Sequence, residues 1–305
     1  MRYLVTGCFG FVGAYLVEAI HRADPAAEII AVDRVPAPAS FPAVTRSAVL
    51  DLLDLDATAA VIAREQPDRL VHLASLSSVG LSWHEPITSF TNNTNIFLNV
   101  LECVRRHSPR TRVLSIGSSE QYGLVTEADL PLRETQPQRP LSPYAVARVA
   151  QEHLGEVYVR GYGLDIVQTR SFNHVGAGQS AQFVISALAK QFAEGSKIRV
   201  GTTSVVRDFL DVRDVVAAYL ALLDRGVRGE VYNICSGRGV SIAQVIDMLA
   251  EVAQITPQIE IDPALVRPVE NAIVVGDHSK ITAAVGWQPA ISLESALRSV
   301  YDSWR

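Results

Sequence analysis

Several features are missing or rare in this 305-residue sequence, and each absence excludes a class of protein. The sequence has only three cysteines, Cys8, Cys103 and Cys235, which are widely spaced and odd in number. They predict buried reduced thiols rather than a disulfide framework or a zinc knuckle. The seven histidines show no metal-ligand spacing, so no metal site is indicated. No apolar run approaches the ~18 residues that a membrane-spanning helix needs.

Clusters of basic charge are missing as well. The 27 basic and 32 acidic residues are interspersed along the chain and give a net charge of −5. Nothing forms the basic stripe that nucleic acid or an anionic membrane would require. The first residues already read as a strand, which leaves no room for a signal peptide. Since 48% of the residues are apolar, the chain can build a large core. We therefore expect a globular cytoplasmic protein without nucleic-acid or membrane partners.

The first half of the chain contains a regular alternation of β-rich runs and helical patterns. Strands are predicted at residues 3–6, 28–32, 48–50, 70–73, 112–116 and 165–169, and helices at 11–21, 57–65, 91–106 and 144–162. This alternation is typical of a doubly wound parallel sheet with helices on both faces. The pattern then loosens into a loop at 173–180, helices at 183–192, 211–223 and 241–252, and a strand at 230–234. Because no linker interrupts the chain, we expect two interwoven parts.

A glycine-rich turn follows the first predicted strand and opens the first predicted helix. Gly7, Gly10 and Gly13 are spaced for a tight turn and for close approach of the backbone to a pyrophosphate. The helix N-terminus adds N–H groups and the positive end of its dipole. The side chains between the glycines belong to the same candidate site: Phe9, Phe11 and Val12.

The position of this turn predicts a Rossmann-type sheet that binds NAD(P). We expect the α/β fold to place residues 1–170 with 203–237 in the NAD(P)-binding Rossmann domain. Residues 171–202 and 238–305 would then form most of a smaller, interwoven C-terminal α/β substrate domain.

The acidic residues after the next two strands concern the choice of cofactor. Asp33 ends the second predicted strand, where a carboxylate binds the adenosine ribose hydroxyls and repels a 2′-phosphate. Arg34 beside it could instead accept that phosphate. The carboxylate of Asp33 favours NAD, while Arg34 keeps NADP as the alternative cofactor. Asp51, after the third strand, would receive the adenine amino group or cap a helix.

A serine, a tyrosine and an arginine form a candidate catalytic group. Ser118 stands at the carboxyl end of a predicted strand, where ligands bind in open α/β sheets. Tyr144 and Arg148 are four residues apart at the start of a predicted helix and share one of its faces. A fixed positive charge there stabilises the phenolate, which suits a general acid or base for an alcohol–ketone pair.

These segments resemble the extended short-chain dehydrogenase/reductases that act on nucleotide sugars. The resemblance spans almost the whole chain, at residues 6–13, 72–75, 118–123, 142–148, 170–174, 207–209, 232–237 and 286–289. Among the subfamilies, the chain is most similar to the GDP-4-dehydro-6-deoxy-D-mannose reductases, through residues 117–120, 172–176 and 267–268. The GDP-mannose 4,6-dehydratases are the nearest alternative.

The resemblance implies NAD(P)H-dependent reduction of the C4 keto group of a GDP-4-keto-6-deoxy sugar. Ser118 would bind and stabilise the sugar oxygen, Tyr144 would donate the proton, and Arg148 would hold the nicotinamide ribose and tune Tyr144. Glu120 would remove a sugar proton in a dehydratase, or would only hydrogen-bond the substrate or its own loop. It therefore does not decide between these reactions.

Further binding roles follow from the same resemblance. The remaining cofactor contacts would come from Leu52, Leu73, Ala74, Ser75 and Asn93. The substrate contacts would come from Ser77, Ser118, Ser119, Glu120, Asn173, Val184, Arg207, Arg267 and Glu270. Within this set Arg207 and Arg267 would hold the diphosphate, since guanidinium forks suit phosphate oxygens, and Glu270 would bind the nucleotide ribose.

Two departures from the family pattern are visible. The family places lysine at position 148, and arginine keeps the charge on a larger planar group. Arginine makes up 24 of the 27 basic residues, so the change at position 148 is compatible with drift that retains activity. In that case Arg148→Lys should be tolerated. An inactive relative is the alternative. Ile96 and Phe97 replace a usual Gly-Thr pair, and we expect their bulk to lie away from the chemistry.

The alternatives to a reductase are therefore a nucleotide-sugar 4,6-dehydratase or 4-epimerase, and a non-catalytic dinucleotide-binding sensor. Family members commonly dimerise through the helices predicted here at 91–106 and 144–162. Both segments carry apolar residues on more than one face, so a homodimer is expected.

Overall fold

The computed structural model describes residues 1–266 and 271–305, which form a large parallel sheet and a smaller second layer. The strands are β1 (Arg2–Thr6), β2 (Glu28–Asp33), β3 (Arg46–Val49), β4 (Arg69–His72), β5 (Arg112–Ser118), β6 (Asp165–Ser171), β7 (Asn173–Val175), β8 (Lys197–Val200), β9 (Val206–Asp211), β10 (Val231–Ile234), β11 (Gly239–Ser241), β12 (Gln258–Ile261) and β13 (Ile273–Val274). The helices are α1 (Phe11–Ala23), α2 (Leu55–Glu65), α3 (Val79–His84), α4 (Pro86–His107), α5 (Pro143–Tyr162), α6 (Val184–Glu194), α7 (Val212–Arg225), α8 (Ile242–Ala253), α9 (Ser279–Val285) and α10 (Leu293–Asp302).

The large sheet has seven parallel strands in the order β10-β6-β5-β4-β1-β2-β3. Helices α1, α7 and α9 pack on one face, around Leu16 and Tyr219, and α2, α4 and α5 pack on the other, around Phe97 and Tyr158. The doubly wound Rossmann-type sheet is therefore confirmed. Its central strands are buried on both faces, which explains their nearly continuous apolar runs. The strand order reverses between β1 and β4, and ligands bind at such a switch point.

The second layer is built from short strands and three helices. Strands β11, β9 and β13 form a sheet in which β7 also pairs with β9, and β8 pairs with β12. Helices α6, α8 and α10 cover these strands through a separate core around Phe192, Leu249 and Leu297. The chain enters this layer, returns to the large sheet as β10 and leaves it again. The boundary between cofactor and substrate domains within this path stays a prediction.

The predicted elements of the first half are all present, with ends that differ by up to five residues. In the second half, Ser241 caps α8 as expected, and α7 begins at Val212 with Asp211 as its cap. The predicted loop at 173–180 contains β7. Strand β12 was not predicted, because its alternation of polar and apolar residues is only four residues long and all four are exposed.

Helices α4 and α5 lie side by side and are joined by a polar contact. Tyr158 donates a hydrogen bond to Glu102 at 2.6 Å, and Arg105 and Arg106 bind the same carboxylate. These bonds hold the pKa of Glu102 at about 2.

None of the helices in the described ranges is long and apolar enough to cross a membrane.

Candidate active site

A cavity of about 1080 Å³ opens at the carboxyl ends of β1, β4 and β5 and extends to the second layer. The predicted cofactor residues that line it are Gly7, Phe9, Gly10, Phe11, Val12, Gly13, Asp33, Arg34, Asp51, Leu52, Leu73, Ala74, Ser75, Tyr144 and Arg148. The predicted substrate residues that line it are Ser77, Ser118, Ser119, Glu120, Asn173, Val184 and Arg207. One continuous space therefore joins the two predicted sites.

One predicted residue that the structure describes, Asn93, is not among those that line the cavity. Asn93 instead binds the loop after β4, since its side chain accepts from the backbone N–H of Leu76 at 2.9 Å and donates to the Leu76 carbonyl at 3.1 Å. The contact predicted between Asn93 and cofactor is thus replaced by support of this loop. Arg267 and Glu270 lie outside the described residues.

The glycine turn can accommodate a pyrophosphate closely. Gly7 has a φ of +65°, and a Cβ there would lie 2.7 Å from the backbone of Ala74. A Cβ at Gly13 would collide with the carbonyl of Cys8. Gly10 precedes the first turn of α1 without a side-chain cap, so the N–H groups of this 13-residue helix face the cavity end without competition from a capping side chain. These features fit a dinucleotide.

Asp33 supports this turn as well as facing the cavity. One of its carboxylate oxygens accepts the backbone N–H of Phe9 at 2.9 Å, and the other accepts that of Arg34 at 2.7 Å. The second oxygen also accepts the N–H of Val35 at 3.4 Å, so the oxygen bound to Phe9 is the one with a lone pair left for a ribose hydroxyl. Arg34 itself is exposed at the rim. The alternative role of Asp51 as a helix cap is wrong, because Asp54 caps α2.

Ser118 ends β5 and begins a tight turn. Its hydroxyl accepts the N–H of Glu120 at 3.2 Å, and its own N–H donates to the side chain of Gln121 at 2.9 Å. The turn continues as the 3-10 helix Ser119–Tyr122. Ser118 is half-buried, and both Ser118 and Glu120 border the cavity.

Tyr144 and Arg148 are paired at the base of the cavity. Ser142 caps α5 and Pro143 occupies its first turn, which starts the helix just before Tyr144. The Nε of Arg148 donates to the Tyr144 hydroxyl at 3.2 Å, as the spacing of four residues predicts. Both side chains are buried, each with 5% of its surface exposed.

The remaining contacts of Arg148 are neutral. Its guanidinium donates to the Ile116 carbonyl at 3.1 Å, to the Gln151 side-chain oxygen and to the Ser75 hydroxyl. Within the described part of the chain it forms no ion pair with a carboxylate. A buried cation without a counterion is unfavourable unless its donors are satisfied. The guanidinium therefore depends on these neutral acceptors and on the Tyr144 hydroxyl for its hydrogen bonds.

Two histidines at or beside the site have lowered pKa values. Burial and, secondarily, the charge of Arg148 lower the pKa of His72 to about 3, and its Nδ1 lies 2.9 Å from the Thr6 hydroxyl. Burial also lowers the pKa of His174. The His174 ring stacks parallel to Phe11 with ring centres 6.3 Å apart, and its Nδ1 contacts the Phe172 carbonyl. Through these contacts, His174 connects the segment after β6 with Phe11 at the end of the glycine turn.

Some lining residues had no sequence signal. Trp83, His84, Gln191 and Tyr219 come from helices α3, α6 and α7, and neither periodicity nor a motif connected them with the site. Ile96 also lines the cavity, whereas Phe97 packs with its ring centre 5.1 Å from that of His72. The expectation that this bulky pair lies away from the chemistry stays a prediction, because the cavity extends well beyond Ser118 and Tyr144.

The chain is similar to known proteins over nearly its whole length. The family model described as GDP-mannose 4,6 dehydratase matches residues 4–300. GDP-6-deoxy-D-mannose reductase from Pseudomonas aeruginosa is 35% identical over 309 residues, which cover 99% of this chain and 97% of that protein. The structure of RMD from Pseudomonas aeruginosa complexed with NADPH has a TM-score of 0.87 at 34% identity, with 99% and 98% of the two chains covered. UDP-glucose 4-epimerase from Thermotoga maritima, solved with UDP-glucose, has a TM-score of 0.91 at 25% identity, with 100% and 98% covered.

The hydrogen bonds of Arg148 predict that the Arg148→Lys variant folds less stably, in contrast to the tolerance of lysine expected from the sequence. In Arg148→Lys, one ammonium group cannot reach all the acceptors that the guanidinium fork binds, and the buried Gln151 oxygen loses its donor. We expect the free energy of unfolding to fall by about 1–3 kcal/mol in denaturant titrations. Arg160→Lys, on the exposed side of the same helix, is the control and should change little. Equal stability of Arg148→Lys and wild type would contradict this prediction.

Proposed function

The chain belongs to the family described as GDP-mannose 4,6 dehydratase, and on this basis we propose that it reduces the C4 keto group of a GDP-4-keto-6-deoxy sugar with NAD(P)H. Its relatives are nucleotide-sugar reductases, dehydratases and epimerases, which makes it an NAD(P)-dependent oxidoreductase of the extended short-chain dehydrogenase/reductase type. The observation that carries the proposal is the Tyr144 hydroxyl, held by Arg148 in a cavity that also contains Ser118 and the glycine turn.

The side chains at the base of the cavity suit reduction of a ketone. When bound, the nicotinamide supplies the hydride that is added to C4. Tyr144 gives its hydroxyl proton to the oxygen that becomes an alcohol. Ser118 donates a hydrogen bond to the same oxygen while negative charge develops on it. Arg148 then stabilises the phenolate left on Tyr144, because its Nε already donates to that oxygen.

The outer part of the cavity suits the diphosphate of a nucleotide sugar. Arg207 on β9 lines it, and a guanidinium provides paired donors for phosphate oxygens. Such a cation offsets the repulsion of a dianionic substrate from a protein with net charge −5. Ser77, Asn173 and Val184 border the space between this arginine and the tyrosine, where we place the sugar.

The proposed reaction predicts a specific loss of activity in Tyr144→Phe. Removal of the proton donor should lower turnover of GDP-4-keto-6-deoxymannose by about 10²–10⁴-fold, while the Kd for the cofactor changes little. The measurements are NAD(P)H oxidation, mass spectrometry of the product and cofactor titration. The control is Tyr162→Phe, at the exposed end of the same helix.

Other outcomes of this assay would identify the alternatives. Conversion of GDP-mannose or another nucleotide sugar without added reduced cofactor would indicate a dehydratase or an epimerase. Cofactor binding without turnover of any nucleotide keto sugar would indicate a sensor. Unchanged turnover in Tyr144→Phe would overturn the assigned role of the phenol.

We also propose that NADH is preferred over NADPH, with Asp33 as the cause. Its carboxylate would accept the ribose hydroxyls and repel a 2′-phosphate. In Asp33→Ala we expect NADH affinity to fall about 10–100-fold, partly because the Phe9 N–H loses its acceptor, with a smaller effect on NADPH. Calorimetric titration measures both. Equal or tighter NADPH binding by the wild type, lost in Arg34→Ala, would show that Arg34 determines the choice instead.

The outer faces of α4 and α5 support the proposal of a homodimer. Val157 is 56% exposed on α5 and Ile87 is 82% exposed on α4, with Phe90 and Val146 exposed beside them on these two helices. By contrast, Ile96, Val100 and Leu101 on α4 are buried in the core. An exposed apolar pair of helices is a suitable surface for a second copy of the chain.

This interface can be tested by placing a charge on it. We expect a dimer of the wild type in sedimentation at micromolar concentration and a monomer for Val157→Asp, since a carboxylate would be desolvated in the interface. Val227→Asp introduces the same charge at an equally exposed site in the loop after α7 and should stay dimeric. A monomeric wild type would exclude the proposal.

The cysteines support a cytoplasmic location, which we propose as well. Cys8, Cys103 and Cys235 are all buried and unpaired. Burial, as the largest cause, raises the pKa of Cys8 to about 12 and that of Cys103 to about 11, so both remain inert thiols. Reduced, structurally inert cysteines are typical of cytoplasmic proteins.

A further inference from the structure

We propose that Gln121 is a positioning residue that holds Ser118 in place relative to Tyr144, by way of Glu152. The inference rests on the proposed reductase function, because it concerns the two hydroxyls that bind the sugar oxygen. Gln121 is fully buried and is not among the residues that line the cavity. It therefore acts through Ser118 rather than on the substrate.

Gln121 bridges the turn of Ser118 and the helix of Tyr144. Its side-chain oxygen accepts the backbone N–H of Ser118 at 2.9 Å, and its amide nitrogen donates to Glu152 at 2.7 Å. The side chain lies so close to β5 that a Cβ at Gly117 would collide with its oxygen. Both ends of the amide are thus used, which leaves it one orientation.

Glu152 is itself held firmly. Arg170 on β6 binds it through two bonds, from Nε at 2.9 Å and from Nη2 at 2.8 Å. The side chain of Glu152 is only 11% exposed and that of Arg170 only 6%. The Arg170 guanidinium lies 4.7 Å from the ring centre of Tyr122. A buried ion pair with satisfied donors and acceptors confers rigidity more surely than stability. The carboxylate is therefore a fixed anchor for Gln121.

The anchor and the catalytic phenol belong to the same helix. Tyr144, Arg148 and Glu152 follow one another at intervals of four residues on α5, so they occupy neighbouring turns of one face. Helix α5 thus carries the proton donor directly and sets the position of Ser118 through Gln121. A displacement of about 1 Å between reacting groups can cost ~10²-fold in rate, so such a link has a measurable effect.

The chain offers a matched control for this link. Gln138 donates to the other oxygen of Glu152, also at 2.7 Å, but within the described residues its side chain forms no hydrogen bond to residues 118–122. We expect Gln121→Met to lower kcat by about 10–100-fold with an unchanged Kd for NADH, and Gln138→Met to leave kcat within about threefold of wild type. Gln121→Glu, which keeps the size and the acceptor but opposes Glu152 with a second carboxylate, should also lower kcat, and serves if Gln121→Met fails to fold.

Two further measurements separate this role from a structural one. In a double-mutant cycle, the loss caused by Gln121→Met should disappear when Ser118 is already alanine. Amide exchange of residues 115–123 should be faster in Gln121→Met than in Gln138→Met. Additive losses, or equal losses in the two glutamine variants, would overturn the inference. If the wild type turns over no nucleotide keto sugar, the proposed function fails. The link between Gln121 and Ser118 is then tested by amide exchange alone. Equal exchange rates in Gln121→Met and Gln138→Met would overturn it.

Discussion

The candidate site is organised around a buried positive charge. The guanidinium of Arg148 contacts β5 at Ile116, the loop after β4 at Ser75, and its own helix at Tyr144 and Gln151. Because an unsatisfied guanidinium would be very unfavourable in this environment, these segments must keep their positions for the charge to be tolerated. One of the acceptors that satisfy the guanidinium is the hydroxyl of Tyr144, which therefore lies next to the positive charge. The arrangement that satisfies the buried cation is therefore also the one that prepares the phenol for proton transfer.

Carboxylates hold neighbouring segments together at the edges of the site. Asp33 accepts backbone N–H groups from the glycine turn, and Glu152 holds the turn after β5 through Gln121. Asp208 accepts from the N–H and hydroxyl of Ser236 and from the N–H groups of Gly237 and Gly276, and its burial raises its pKa. Asp208 thus joins the second layer to the segment after β10, beside Arg207. Asp33 and Asp208 thus compensate backbone donors in loops, where no strand or helix could do so, whereas Glu152 accepts from side chains.

The predictions for the first half of the chain succeeded where local signals and tertiary structure agree. Gly7, Gly10 and Gly13 adopt the turn that their spacing predicts, and Tyr144 contacts Arg148 as neighbours on one helical face must. Predictions failed where a residue's neighbour is distant in sequence. Asn93, predicted to contact the cofactor, supports the loop at Leu76 and is not among the cavity-lining residues, whereas Ile96 on the same helix lines the cavity. Whether a helical residue faces the cavity or a neighbouring loop depends on the rotation of α4 against the sheet.

The sequence by itself determined the parallel α/β sheet, the glycine turn after β1 and the pairing of Tyr144 with Arg148, because each depends on contacts within a few residues or on a repeated pattern. Only the tertiary structure decided which partners complete the site. Gln151 and Glu152 belong to no motif, and the motifs that contain Gln121 and Arg170 do not identify their partners; the roles of all four arise because β4, β5, β6 and α5 meet at one edge of the sheet. Buried polar groups must find partners wherever the fold places them, and that placement follows from packing of the whole chain rather than from local sequence.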